Sequence, residues 1–182
     1  MPARTVLQEA DIARALTRIA HEILEANRGE ESLVILGIPT RGAALAERLA
    51  ARLGDITGID FAARTGTLDV TMHRDDLART GARPTHPTRI PASGIDGQTV
   101  VLVDDVLYSG RTIRAALDAL ADLGRPAAVR LAVLVDRGHR QLPIRADFVG
   151  KNLPSAASEH VSILLTEVDG QDAVTIQEGS AR

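Results

Sequence analysis

Three stretches, residues 33–38, 99–103 and 128–135, are apolar at almost every position, and this constrains the fold more than any other feature of the chain. A strand with one wet face alternates polar and apolar residues. A continuous run needs cover on both faces, which helices laid over a parallel sheet provide. The intervening segments agree. Between residues 11 and 28, Ile12, Leu16, Ile19, Ile23 and Leu24 share a helical face that stops at Gly29, and residues 43–53 read as a second helix closed by Gly54. From Thr112 onward, Ile113, Ala116, Leu117, Leu120 and Leu123 recur at helical spacing until Gly124 and Pro126. These alternations predict an α/β fold with a doubly wound, mainly parallel sheet and flanking helices, whose ligands bind at the carboxyl ends of the strands.

The remaining segments are less regular. Residues 67–72 alternate and read as a strand with one solvated face, whereas residues 73–98 form a Gly-, Pro- and Thr-rich stretch long enough to be a lid. Residues 161–168 and 173–177, joined across Asp169-Gly170, read as an antiparallel hairpin. No internal repeat or linker divides the 182 residues, so a single domain spanning 1–182 is expected. The absence of cysteine excludes disulfides and thiol nucleophiles, and no run has the length of a membrane span. A cytoplasmic protein without a membrane partner is expected. The net charge of −3 means that any nucleic-acid contact must come from a local patch.

The chemistry concentrates at residues 101–113, where an apolar run gives way to Asp104-Asp105, then to Val106-Leu107-Tyr108-Ser109-Gly110-Arg111, then to a helix start at Thr112. Unpaired N–H groups at that helix start, with Ser109, Thr112 and the Gly110 amide, make a cradle for a phosphate monoester without a lysine. Two carboxylates one loop-length away suit the vicinal hydroxyls of a sugar, or a hydrated Mg²⁺. Phosphate plus diol points to a ribose 5-phosphate.

This stretch closely resembles the signature of type I phosphoribosyltransferases, which bind 5-phosphoribosyl 1-diphosphate (PRPP). The resemblance implies that family's fold, with a lid at about 73–98, a small hood at about 136–160 and Mg²⁺ carried with PRPP. It makes Thr40-Arg41-Gly42 the diphosphate loop, Arg74 a lid contact, and Asp104, Asp105 and Arg41 the catalytic groups. Base recognition falls to Asp136, Arg137, Phe148 and Val149, with the Phe148 ring stacked on the base. In the 6-oxopurine enzymes of the family an acidic residue stands where this chain has Tyr108, and a tyrosine is not a proton acceptor at neutral pH. The wider pattern, from Arg14 to Pro154, is similar to the family's pyrimidine-operon regulators. The resemblance therefore implies uracil phosphoribosyl transfer, UMP and UTP as ligands, binding to the leader of pyr mRNA, and a homodimer or higher homo-oligomer. It assigns RNA contact to Arg18, His21, His139, Arg140, Arg145 and Lys151. Two other readings remain open: a PRPP-binding regulator with little turnover, and a transferase for another base with no RNA role.

Overall fold

The structure, a computed structural model, describes residues 3–29, 31–76 and 86–179. Five strands form one parallel sheet in the order β3-β2-β4-β5-β6: β2 (Leu33–Gly37), β3 (Thr65–Thr67), β4 (Thr99–Leu107), β5 (Ala128–Asp136) and β6 (Phe148–Asn152). Helices α1 (Glu9–Asn27) and α2 (Arg41–Thr57) cover one face, and α3 (Arg111–Leu123) covers the other. Strand periodicity divides the core accordingly. Leu33, Ile35, Val101, Val103, Ala132 and Leu134 point toward α1 and α2, while Val34, Leu36, Val100, Leu102, Leu131 and Val133 point toward α3.

A second, antiparallel sheet forms the hood, in the order β1-β8-β7, from β1 (Arg4–Gln8), β7 (Glu159–Leu164) and β8 (Ala173–Glu178). This sheet uses both ends of the described chain, and of the segment 136–160 expected to form a hood only the start of β7 belongs to it. The hairpin is present, but its first strand stops at Leu164, and a one-turn helix, α4 (Thr166–Asp169), replaces the expected continuation to Val168. Asp172 explains the break, because its carboxylate accepts from both the N–H and the hydroxyl of Thr166 and so favours a turn there.

Two further expectations are corrected. α2 continues through Gly54 to Thr57, and the left-handed cap is Gly58. Residues 68–72 are not a strand: Asp69 accepts from the N–H and hydroxyl of Thr71 and turns the chain into a 3₁₀ turn at Thr71–His73. Leu68 and Val70 are nonetheless buried, so the alternation reported burial rather than extension. Within the expected lid, residues 77–85 lie outside the described residues. Residues 86–98 are pinned to the body by an antiparallel bridge from Arg89 to Thr67 and by the buried side chain of Ile95.

Two glycines bring α2 close to the sheet. A Cβ on Gly37 would meet Gly42 O at 2.4 Å, and one on Gly42 would meet Val103 O at 2.5 Å, so only glycine lets the first turn of α2 rest on the ends of β2 and β4. The hood is tied to α2 by Arg48, whose guanidinium donates to Glu167 at 2.6 and 2.7 Å and to Asp172 at 2.5 and 2.8 Å. Arg48, and then the bonds from Thr166, hold the Asp172 carboxyl well below the usual carboxylate range. Its stabilising effect is therefore complete above the unfolded pKa, near 3.8, and is lost as pH falls through the depressed folded value. Asp172→Ala is expected to cost about 2 kcal/mol at pH 7, measured by urea unfolding, with the gap to wild type closing in strong acid. An undiminished gap at the lowest pH would show that packing, not charge, holds the hood.

Candidate active site

Parallel β2 ends at Gly37, paired with Val103, and its last link to β4 is Ile38 N–H to Val103 O at 2.9 Å. β4 runs four residues further with only β5 beside it. Asp104 and Asp105 therefore lie within β4, not after its end, and border the crevice that β2 leaves open. Asp104 is buried, with 7% of its surface exposed, and its Oδ1 accepts from Asp105 N–H at 2.9 Å. Asp105 Oδ1 in turn accepts from Val106 N–H at 2.8 Å. Burial, and then the neighbouring charge of Asp105, push the Asp104 carboxyl well above the usual carboxylate range, an effect partly offset by Arg74.

Three cavities meet around this pair. The first, about 230 Å³, is formed by Val106 to Ile113 with Arg74, Asp75, Asp76 and Asp104, around the loop expected to cradle a phosphate. Gly110 sits at φ +92° as the residue before α3, a backbone state that turns the loop into the helix N-terminus. The second cavity, about 450 Å³, is bounded by Pro39, Thr40, Asp69, Thr71, Arg74, Asp104, Asp105 and Thr112. The third, about 530 Å³, lies between Arg41, Asp105, Val106, Tyr108 and Arg137 on one side and His160 to Leu164 of β7 on the other. An apolar hollow of about 510 Å³ beside α2 and β3 holds neither the acidic pair nor the helix start.

Arg41, the first residue of α2, donates through Nε and Nη2 to Asp169 at 3.1 and 2.7 Å. The bond to Asp169 pushes the Arg41 pKa up and holds that of Asp169 down, so each keeps the other charged. Gly42 lies behind it against β4. Arg74 donates to Asp76 at 3.0 and 3.2 Å and borders both the cradle and the acidic cavity. Arg111 ties the cradle to the start of the lid through Asp75 and to the loop after β5 through Gln141.

The base-recognition assignments divide. Arg137 lines the third cavity, 6% exposed, with its Cζ 4.3 Å from the centroid of the Tyr108 ring. Phe148 is packed in the core on the α1 side, while Val149, half-buried, packs against the α3-side core and lines a different cavity, so neither lines the chamber beside Asp105. Asp136 stands one residue back, pairing with Arg140 and capping Gly138 N–H. The chamber wall opposite Arg137 is β7. Its sequence reads as an ordinary hood strand and carries no signal of this position.

The arginines expected to contact RNA are also partly redirected. Arg140 donates to Ile144 O at 2.7 Å, to Tyr108 O at 2.8 Å and to Asp136. It therefore braces the phosphate loop. Arg18 donates to Val149 O and Gly150 O at 3.1 and 2.7 Å and to Glu22 at 2.7 Å, across the α1–β6 seam. His21, His139, Arg145 and Lys151 are exposed.

The model of the phosphoribosyl transferase domain matches residues 3–165. Proteins called "Bifunctional protein PyrR" are 68% identical in Leifsonia xyli, over all of both chains, and 62% identical in Streptomyces coelicolor, over 96% of this chain and 89% of that one. The chain belongs to the PyrR family of phosphoribosyltransferases. The type I phosphoribosyltransferase fold is that of the solved neighbours too. A hypoxanthine phosphoribosyltransferase of Trypanosoma cruzi matches with a TM-score of 0.71 at 18% identity, over 97% of both chains, and one of Staphylococcus aureus with 0.69 at 18%, over 97% of this chain and 93% of that one. At such identity the likeness speaks for the fold alone.

Within the PyrR family frame, two consequences of the geometry can be measured. Asp104 retains its proton in the folded protein at pH values where the unfolded chain has lost it, so this group lowers stability as pH rises above about 4. Asp104→Asn should unfold at the same temperature as wild type at pH 4 and no lower at pH 8, while losing about 100-fold or more in turnover. A lower midpoint at pH 8 with normal turnover would contradict both assignments. Arg140→Ala should raise KM for PRPP about tenfold, since Tyr108 O loses its donor; an unchanged KM would return Arg140 to the surface role.

Proposed function

We propose that the protein transfers the ribosyl 5-phosphate of PRPP to uracil, giving UMP and diphosphate, and that it binds the leader of pyr mRNA in a manner set by uridine nucleotides. The observation that carries the transferase reading is the meeting of three cavities at Asp105–Val106. The helix start at Gly110–Thr112 takes the 5-phosphate, the acidic pair faces the ribose, and the loop at Thr40–Gly42 takes the diphosphate. Uracil enters the chamber between Tyr108, Arg137 and β7. Arg137 presents a fixed cation to a carbonyl oxygen of the base, and Tyr108 stands where the 6-oxopurine enzymes carry a carboxylate to take a purine proton.

Carbon–oxygen cleavage at the anomeric carbon leaves positive charge on the ribose ring. Asp104 and Asp105 face that charge, and its appearance draws the Asp104 carboxyl toward the ionised form that burial disfavours. Arg41 leaves or shares Asp169 to grip the departing diphosphate, exchanging one bidentate anion for another. The acidic pair suits a divalent ion: two carboxylates abut, and burial, then the charge of Asp105, raises the pKa of Asp104. No group of three or more His, Asp or Glu side chains capable of holding a metal occurs among the described residues. Bound with PRPP, Mg²⁺ would be held by Asp104 and Asp105 and would neutralise charge on the leaving diphosphate. The chain's own residues do the rest by position and field, without a covalent intermediate.

For RNA, the exposed cations Arg145 and Lys151, neither of which enters an ion pair among the described residues, are the groups to test first, beside Arg18, His21, His139 and Arg140. In the presence of PRPP, uracil should be consumed and hypoxanthine and guanine should not; comparable purine turnover would overturn the base assignment. Arg145→Ala with Lys151→Ala should weaken leader-RNA binding and reduce the slope of log affinity against log salt by about 0.7 to 0.9 for each phosphate that is no longer neutralised. Equal slopes in wild type and variant would place the RNA elsewhere.

A further inference from the structure

A fourth cavity, about 660 Å³, opens beside the end of β5 and β6 and shares only Arg137 with the chamber beside Asp105. Its walls are the loop after β5, from Asp136 to Arg140, the segment Arg145–Ala146, Val149 of β6, and Asn152, Pro154 and Ser155. Its size falls in the range of about 300–1,000 Å³ found for small-molecule sites. Ala146, Val149 and Pro154 give it an apolar surface. Asn152, exposed, carries an amide that both donates and accepts. Arg145 is exposed and enters no ion pair among the described residues, unlike Arg140 beside it. His139 Nε2 lies 2.5 Å from Ser155 O, which fixes the imidazole at the rim.

We propose that this cavity receives one unpaired nucleotide of the RNA strand, with its base against Ala146, Val149 and Pro154, its edge met by Asn152, and its phosphate by Arg145. This rests on the RNA-binding reading above and deepens it by naming what part of the RNA is read. A paired A-form helix offers a smooth surface of phosphates and hydroxyls and has nothing to put into such a recess. An unstacked base does, and sequence-specific RNA recognition works chiefly on such bases.

The position of the cavity also supplies its link to the catalytic chamber. Arg137 forms part of the wall of both. Its Nε donates to Ser155 Oγ at 3.0 Å, and its Nη2 donates to Ala156 O at 3.1 Å and to Glu159 O at 2.9 Å, at the start of β7. The same side chain lies over Tyr108, which borders the phosphate cradle. A nucleotide in the chamber that engages Arg137 or displaces β7 acts on Ser155, and hence on His139 at the outer rim. Occupancy of one cavity is thereby felt in the other through a single guanidinium.

The test is a double-mutant cycle with the full chain and the leader RNA of a pyrimidine-biosynthesis operon. Asn152→Ala should weaken binding about tenfold, within the range measured for loss of one base contact. Ala146→Trp, which fills the cavity, should do the same or more. Thermal unfolding of both variants serves as the folding control. Abasic substitution at each unpaired position of the RNA in turn should reveal one position at which Asn152→Ala has no further effect, and a version of the hairpin with every base paired should bind wild type and variants alike. If wild type binds the leader RNA and both folded variants bind it equally well, the cavity assignment is overturned while the RNA reading stands. If wild type binds neither RNA, the RNA reading itself fails and the assignment falls with it. If the variants lose binding of free GMP or UMP and keep leader-RNA affinity, the cavity serves a soluble nucleotide and the proposal is wrong.

Discussion

The early end of β2 at Gly37, beside a β4 that continues to Leu107, is the constraint on which the site depends. A central strand that loses one neighbour exposes backbone and side chains along one edge while its other edge stays paired. Asp104 and Asp105 occupy that stretch. Their backbone is fixed by β5, so two like charges are held together where free chains would separate them. The cost appears in the pKa of Asp104, raised by burial and then by the charge of Asp105, so a cation placed opposite the pair would relieve it. Gly37 and Gly42 complete the arrangement by allowing α2 to begin directly on the strand ends.

Charge pairing then joins the hood to the body. Arg48 with Glu167 and Asp172, and Arg41 with Asp169, cross from α2 to α4 and the turn after it, within one short segment of the hood. The two pairs differ in purpose. Arg48 is 18% exposed and its partners hold it against both carboxylates, a structural tie. Arg41 is more open, at 32%, and borders the chamber beside Asp105, so its partner keeps the fork extended and charged within reach of an anion entering there. Two pairs of similar chemistry thus serve a fixed joint and an exchangeable contact, distinguished by access to the cavity.

The arginines show how far residue type underdetermines role. Twenty of the 21 cationic side chains are arginine, and a guanidinium has donors enough to satisfy several carbonyls at once. Arg140, Arg137 and Arg18 are used in this way, closing loop carbonyls and a strand edge. A loop with many unpaired carbonyls next to a phosphate site would otherwise repel the ligand. Placing guanidinium groups behind it settles the backbone and leaves a positive field in front.

What the sequence determined by itself was the sheet and the acidic strand, loop and helix start at residues 104–112. Residues 33–38, 99–103 and 128–135 are so continuously apolar that only a strand covered on both faces accommodates them, and the order of carboxylates, small loop and helix start at residues 104–112 is local, so its chemistry survives without knowledge of contacts. The tertiary structure decided whatever depends on residues distant in the chain. Phe148 went to the core because α1 packs over β6, and the chamber wall went to β7 because β8 pairs with β1 and carries the hairpin over Tyr108 and Arg137. Arg140, still half-exposed, turned its guanidinium inward to Tyr108 O, 32 residues away. Residues 68–70 mimicked a strand because burial on alternate positions is all that periodicity reports, while the turn was made by a side-chain bond from Asp69 to Thr71.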